Sequence, residues 1–194
     1  METQTYTAFT AHKLLAQGDL VKVALKVKRK LKDDPHAGVL IFSDLTGKQM
    51  DFDLRGSEKE VEDRLQKFVA EEPGNAIQGR GRPKLGVVAR EVSLLPRHWE
   101  WLATQSGGAS ATIRRLIEDA RKKTSDRDTI KQSQERTYKF MTAIGGDLPG
   151  YEEALRALYA KDGKKFQKQI GEWPEHVKDH AIVLAATAFG NDGN

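Results

Sequence analysis

The sequence contains no cysteine, which removes disulfides, thiolate nucleophiles and every cysteine-based zinc site from consideration. It has no apolar run near the roughly 18 residues that would span a bilayer. No basic-apolar-small pattern of a signal peptide opens it at Met1. No Gly-rich turn follows a strand-like run in the way a nucleotide phosphate requires. Aromatic residues are sparse at 7%, whereas charged residues reach 31% of the 194. A hydrophobic content of 38% still allows one or two modest domains with real cores. These absences lead to the expectation of a cytoplasmic protein without cofactor, metal or catalytic residue set, and with no membrane partner.

What is present is an uneven charge. The formal net charge is +4, yet residues 79–123 hold ten Lys/Arg against four Asp/Glu, a net of +6, and each flank nets −1. A basic excess confined to one segment is the footprint of a phosphate-binding surface.

That segment opens with an arm, Gly79-Arg80-Gly81-Arg82-Pro83-Lys84. Gly81 lets the backbone approach a groove closely and Pro83 holds the chain extended. Residues 87–94 are rich in β-branched side chains, with Val88, Val92 and Leu94 on one alternating face. Pro96 suits the first turn of a helix, because its missing N–H costs nothing there. Trp99, Leu102 and Ala103 follow at helical spacing. Gly107-Gly108 would stop this helix, and Ser110 would cap the next one, whose stripe is Ile113, Leu116, Ile117 and Ala120.

The centre of the arm, Arg80-Gly81-Arg82-Pro83, resembles the AT-hook, which implies arginines entering the narrow minor groove of A·T-rich DNA. Strand, proline-started helix, glycine turn and capped second helix together resemble a ribbon-helix-helix unit. That resemblance implies a homodimer in which two strands form a ribbon in the major groove and the N-terminus of the second helix meets a phosphate. Two strand registers remain open. One directs Ala89, Glu91 and Ser93 to DNA; the other presents Arg90, but also Val88, Val92 and Leu94. Arg114 and Arg115 are candidates for phosphate contacts, although solvated helix arginines are common. The apolar set Val88, Val92, Leu94, Trp99, Leu102, Ile113, Leu116 and Ile117 is expected to form the core or the dimer interface. Within it Trp99 reads as core, and Trp101, about 200° away around the helix, faces elsewhere.

The flanks are read in the same way. Strands at Thr5 to Phe9 and Lys13 to Ala16 precede a helix capped by Asp19 with Leu20, Val23, Ala24, Val27 and Leu31 inward. A buried strand at Val39 to Phe42 follows. After a turn, Met50, Phe52 and Leu54 alternate on a returning strand. Ser57 and Glu60 form a capping box for a helix carrying Val61, Leu65 and Phe68. Beyond a polar break at residues 124–127, helices are predicted from Arg127 to Ile144, Tyr151 to Ala160, Gly163 to Ile170, and Glu175 to about Phe189. Leu155, Leu158, Phe166, Ile170, Trp173, Val177 and Leu184 form their core.

The expected fold is therefore α+β: a small α+β domain at 1–70, a linker with the basic arm at 71–86, the ribbon-helix-helix-like unit at 87–123, and a C-terminal helical bundle at 124–194. Residues 39–58, 81–102 and 173–181 also resemble a bacterial family catalogued only as a domain of unknown function, a likeness that covers nearly the whole chain and implies no activity.

Other chemistry-bearing residues have plainer readings. His176 and His180 lie one helical turn apart, but no zinc-hydrolase Glu follows His176 and no third ligand stands nearby. Asp51 and Asp53 share a strand face beside Lys48 and Arg55, as solvated carboxylates do. The function expected is a transcriptional regulator or nucleoid-associated protein that binds A·T-rich double-stranded DNA. Its flanking domains are left to oligomerise, sense a small ligand or bind a protein partner. The rival is a dimeric adaptor in which the arm is only a linker.

Overall fold

The computed structural model describes residues 4–71 and 90–190. Strand β1 (Tyr6–Thr10) turns into β2 (Lys13–Gly18), and helix α1 (Leu20–Asp33) follows. The Asp19 carboxylate accepts from the Lys22 N–H at 3.0 Å and starts α1. Strands β3 (Val39–Ser43) and β4 (Gln49–Met50) form a second hairpin before helix α2 (Glu58–Glu71). The capping box of α2 is reciprocal: Ser57 N–H donates to Glu60 Oε2 at 2.7 Å, and Glu60 N–H donates to Ser57 Oγ at 3.3 Å. The sheet runs in the order β2-β1-β3-β4, antiparallel throughout.

The returning strand is shorter than its alternation predicts. Met50, Phe52 and Leu54 do turn inward, half-buried against one core, but the ladder ends at the pair Ile41–Met50. Side chains capture the backbone beyond that point. Arg64 donates to the carbonyls of Asp53 and Arg55, and Lys28 to those of Leu54 and Gly56. Alternation encodes which side chains are buried, not who bonds the backbone.

Each face of the sheet has its own cover. Tyr6, Ala8 and Ile41 pack under α1 and α2 with Val23, Val27, Val61 and Leu65. Phe9 and Phe42 face the other way, onto helix α4 (Gly108–Gly145) and helices α5 (Tyr151–Tyr159), α6 (Gly163–Gln169) and α7 (Glu175–Leu184). Leu158, Phe166, Ile170, Trp173, Val177 and Leu184 are buried there, and Leu155 packs on them. The two flanking segments thus build one core. The chain divides into a first unit, Met1–Asn75 with Asp128–Asn194, and a second, Ala76–Arg127.

Two helix boundaries differ from the sequence reading. No break occurs at residues 124–127, and α4 continues for 38 residues. Those four positions hold neither Gly nor Pro, and Thr, Ser and Asp each disfavour a helix interior by only several tenths of a kcal/mol. Helix α7 ends at Leu184, not near Phe189. The Leu184 carbonyl accepts from Ser133 Oγ at 2.7 Å and Arg136 Nε at 2.8 Å, which satisfies a helix-end acceptor with a cation beside it. Asp162 caps α6, accepting from Lys165 N–H at 2.9 Å.

His180 sits inside the shared core at 6% exposure, edge-on to Phe9 and Phe140. Its Nε2 lies 3.4 Å from Asp44 Oδ1 without making a hydrogen bond. Asp44 is held by Thr7 Oγ1 at 2.7 Å. Burial lowers the pKa of His180 below that of an ordinary imidazole, against the opposing pull of Asp44. Below about pH 6.5 the unfolded chain therefore takes up a proton that the folded chain resists. Stability from this group is complete above that pH and is lost as pH falls through it. The urea midpoint is expected to drop from pH 7 to pH 5, with a slope of at most about 1.4 kcal/mol per pH unit from this group. In His180→Phe that slope should flatten, and an unchanged slope would assign the pH dependence elsewhere.

Candidate nucleic-acid interface

The described part of the second unit begins at residue 90. Residues 90–95 carry no strand, and Val88 and the rest of the expected strand lie outside the described residues, as do Arg80, Gly81, Arg82, Pro83 and Lys84 of the arm. Helix α3 (Pro96–Ala103) starts at proline, as its sequence predicts, with Leu95 at the cap position and no side-chain cap bond. Gly107 and Gly108 take φ of +88° and +74°, a conformation that favours glycine, and turn the chain into α4. Because α4 begins at Gly108, Ser110 lies within its first turn and is not its N-cap. That turn carries no acidic residue, so nothing there offsets the positive end of the helix dipole.

Packing within this unit is thin. Among its described residues only Leu102 and Thr112 are buried. Leu94 and Ile113 are half-buried and, with Trp101 and Leu116, line an apolar pocket of about 280 Å³. The other described members of the expected core stand open: Val92 at 59%, Trp99 at 45%, Leu116 at 45% and Ile117 at 51%. Trp99 is thus not a core residue among the described residues. Helical spacing gathers apolar side chains on a face but does not say whether the chain itself covers that face. Trp101 is exposed at 48% and forms a wall of the pocket.

Both units hold cations that pair with carboxylates and cations that do not. In the first unit Arg29, Arg55, Lys139 and Arg156 hold carboxylates. In the second, Arg121 pairs with Glu118 at 3.0 Å. Arg90, Arg97, Arg114, Arg115, Lys122 and Lys123 are exposed and make no ion pair among the described residues. Ser93 is exposed beside Arg90. Six of the ten cations counted in residues 79–123 are therefore exposed and unpaired among the described residues.

The remaining candidates do not assemble into one place. His176 Nδ1 accepts from the Leu14 N–H at 3.3 Å, while His180 is in the core. Asp53 receives two bonds from Arg55 at 2.9 Å, which hold its carboxyl well below the usual range. Ser57 is a helix cap. Among the described residues no three potential metal ligands cluster, and no helix is long and apolar enough to cross a membrane.

Across both units, residues 5–185 match the profile of a family described as "Uncharacterized protein conserved in bacteria (DUF2239)". The chain belongs to this family. The family's description names no activity, so function rests on the geometry above. Neither a curated protein nor a solved structure matches the chain.

One feature of this DUF2239 chain escapes the sequence reading. Helix α1 carries Lys22, Lys26, Lys28, Arg29, Lys30 and Lys32, but summing charge over residues 1–78 cancels them against the thirteen acids spread along that stretch. A window the length of one helix would have found them.

Proposed function

We propose that the protein binds double-stranded DNA as a homodimer in the bacterial cytoplasm, at the nucleoid, through residues 79–123. The observation that carries this reading is the group of six exposed, unpaired cations beside an uncovered apolar face in the second unit. Free cations release condensed counterions when they meet phosphates, and that release drives binding. So few buried side chains do not hold a unit of this size together, whereas a second copy covers Trp99, Leu116 and Ile117 by self-complementary packing. Arg80 and Arg82 enter an A·T-rich minor groove. Arg114 and Arg115 meet the backbone.

Fluorescence anisotropy over a salt series, with A·T-rich and G·C-rich duplexes, tests this alongside sedimentation. Each phosphate contact contributes about 0.9 to the slope of log K against log salt. The expected result is a dimer that prefers A·T-rich duplex. Arg114→Ala/Arg115→Ala should lower the slope by about 2 for each protomer bound, and Arg80→Ala/Arg82→Ala should remove the A·T preference. The exposed tryptophans favour the rival adaptor. A folded dimer that ignores DNA near physiological salt would establish that reading instead.

A further inference from the structure

We propose that a cleft in the first unit, between α1, the start of β3 and residues 50–56, binds a small organic acid with an apolar body. Its volume is about 740 Å³, within the range of small-molecule sites. The site lies wholly in the first unit and does not depend on the DNA reading.

The cleft is open because the β3–β4 ladder stops early. In its register the rungs after Ile41–Met50 would join Leu40 to Asp51 and Val39 to Phe52, and neither is made. The chain after Met50 instead forms a strap braced from outside. Lys28 Nζ donates to the carbonyls of Leu54 at 2.6 Å and Gly56 at 2.5 Å, and Arg64 donates to those of Asp53 and Arg55. Four successive carbonyls are thereby held away from the sheet edge. Val27 and Leu31 of α1, Val39 and Ile41 of β3, and Phe52 and Leu54 of the strap supply apolar lining.

Charge at the rim selects the ligand. Two arginines are already spent on carboxylates: Arg29 holds Glu58 at 2.8 and 2.9 Å, and Arg55 holds Asp53 at 2.9 Å twice. What remains on the α1 wall is Lys28 and Lys32, one helical turn apart and on one face. Lys32 makes no ion pair among the described residues, and Lys28 keeps a third N–H beyond its two strap bonds. Asp51 lines the strap side and repels an anion there. A carboxylate therefore docks at Lys28 and Lys32, with its hydrocarbon or aryl body against Val39, Phe52 and Leu54.

The test is ¹H–¹⁵N NMR of the full chain, titrated in parallel with octanoate, 1-octanol and octylamine. Octanoate should give saturable shifts at the amides of Val39, Phe52 and Leu54, with at least tenfold higher affinity than 1-octanol and no competition from octylamine. Lys32 braces nothing, so Lys32→Gln should keep the spectrum of the folded chain. It should also bring octanoate several-fold closer to 1-octanol while leaving 1-octanol unchanged. Lys32→Glu should go further in the same direction. Equal affinity for octanoate and 1-octanol, shifts confined to residues such as Trp99 and Trp101, or no saturation at millimolar octanoate would each overturn the proposal.

Discussion

Phe140→Ala should destabilise the protein by about 3–5 kcal/mol, the usual cost of deleting a fully buried aromatic ring. Phe140 has no exposed surface. Its ring lies 5.5 Å from Phe9, 5.0 Å from Phe42 and 4.7 Å from His180. These neighbours come from β1, β3 and α7, so one side chain of α4 joins the sheet to the C-terminal helices. Alanine would leave a cavity that three separate elements must collapse to fill, and a packed interior relaxes only in part. Urea unfolding followed by circular dichroism and by tryptophan fluorescence should show both signals moving together to lower urea. A loss below about 1 kcal/mol would mean that the sheet and the helices do not share a core.

Gly47→Ala should cost about 2–5 kcal/mol by two additive routes, strain at positive φ and overpacking. Gly47 has φ of +65° in the turn between β3 and β4. Its N–H donates to the Ser43 carbonyl at 2.8 Å and Lys48 O accepts from Ser43 N–H at 3.0 Å, so the turn is fixed by its own bonds. A methyl group at Gly47 would fall 1.9 Å from the Arg136 carbonyl oxygen and 2.5 Å from its carbonyl carbon. Both are backbone atoms of α4 and cannot rotate away. The turn would have to lift off the helix, taking Asp44 and its contacts with it. Gly38→Ala is the control, since nothing lies within 4 Å of a methyl there and φ is not positive. Thermal unfolding should separate the two variants clearly. Equal midpoints would show that the hairpin does not rest on α4.

Legibility followed the range of the interaction. Asp19, the Ser57–Glu60 pair and Asp162 act within three residues, and each was readable because its partner is a neighbour in sequence. The burial of Val23, Val27, Val61 and Leu65 was readable from helical spacing. The proposed interface was legible as charge: ten cations against four acids in residues 79–123. Its apolar half was legible as residue types only, since Trp99 and Leu102 share a stripe yet one is exposed and the other buried.

The order of β1 to β4 with α1 and α2, the caps at Asp19, Ser57 and Asp162, and the site of the basic excess belong to the sequence, because propensity, capping and Coulomb charge act locally. The joining of residues 4–71 with 128–190, the uninterrupted α4, the strap held by Lys28 and Arg64, and the burial of His180 against Asp44 belong to the tertiary structure. The hydrophobic effect requires that an apolar stripe be covered and is indifferent to which surface covers it. Only the packed chain makes that choice.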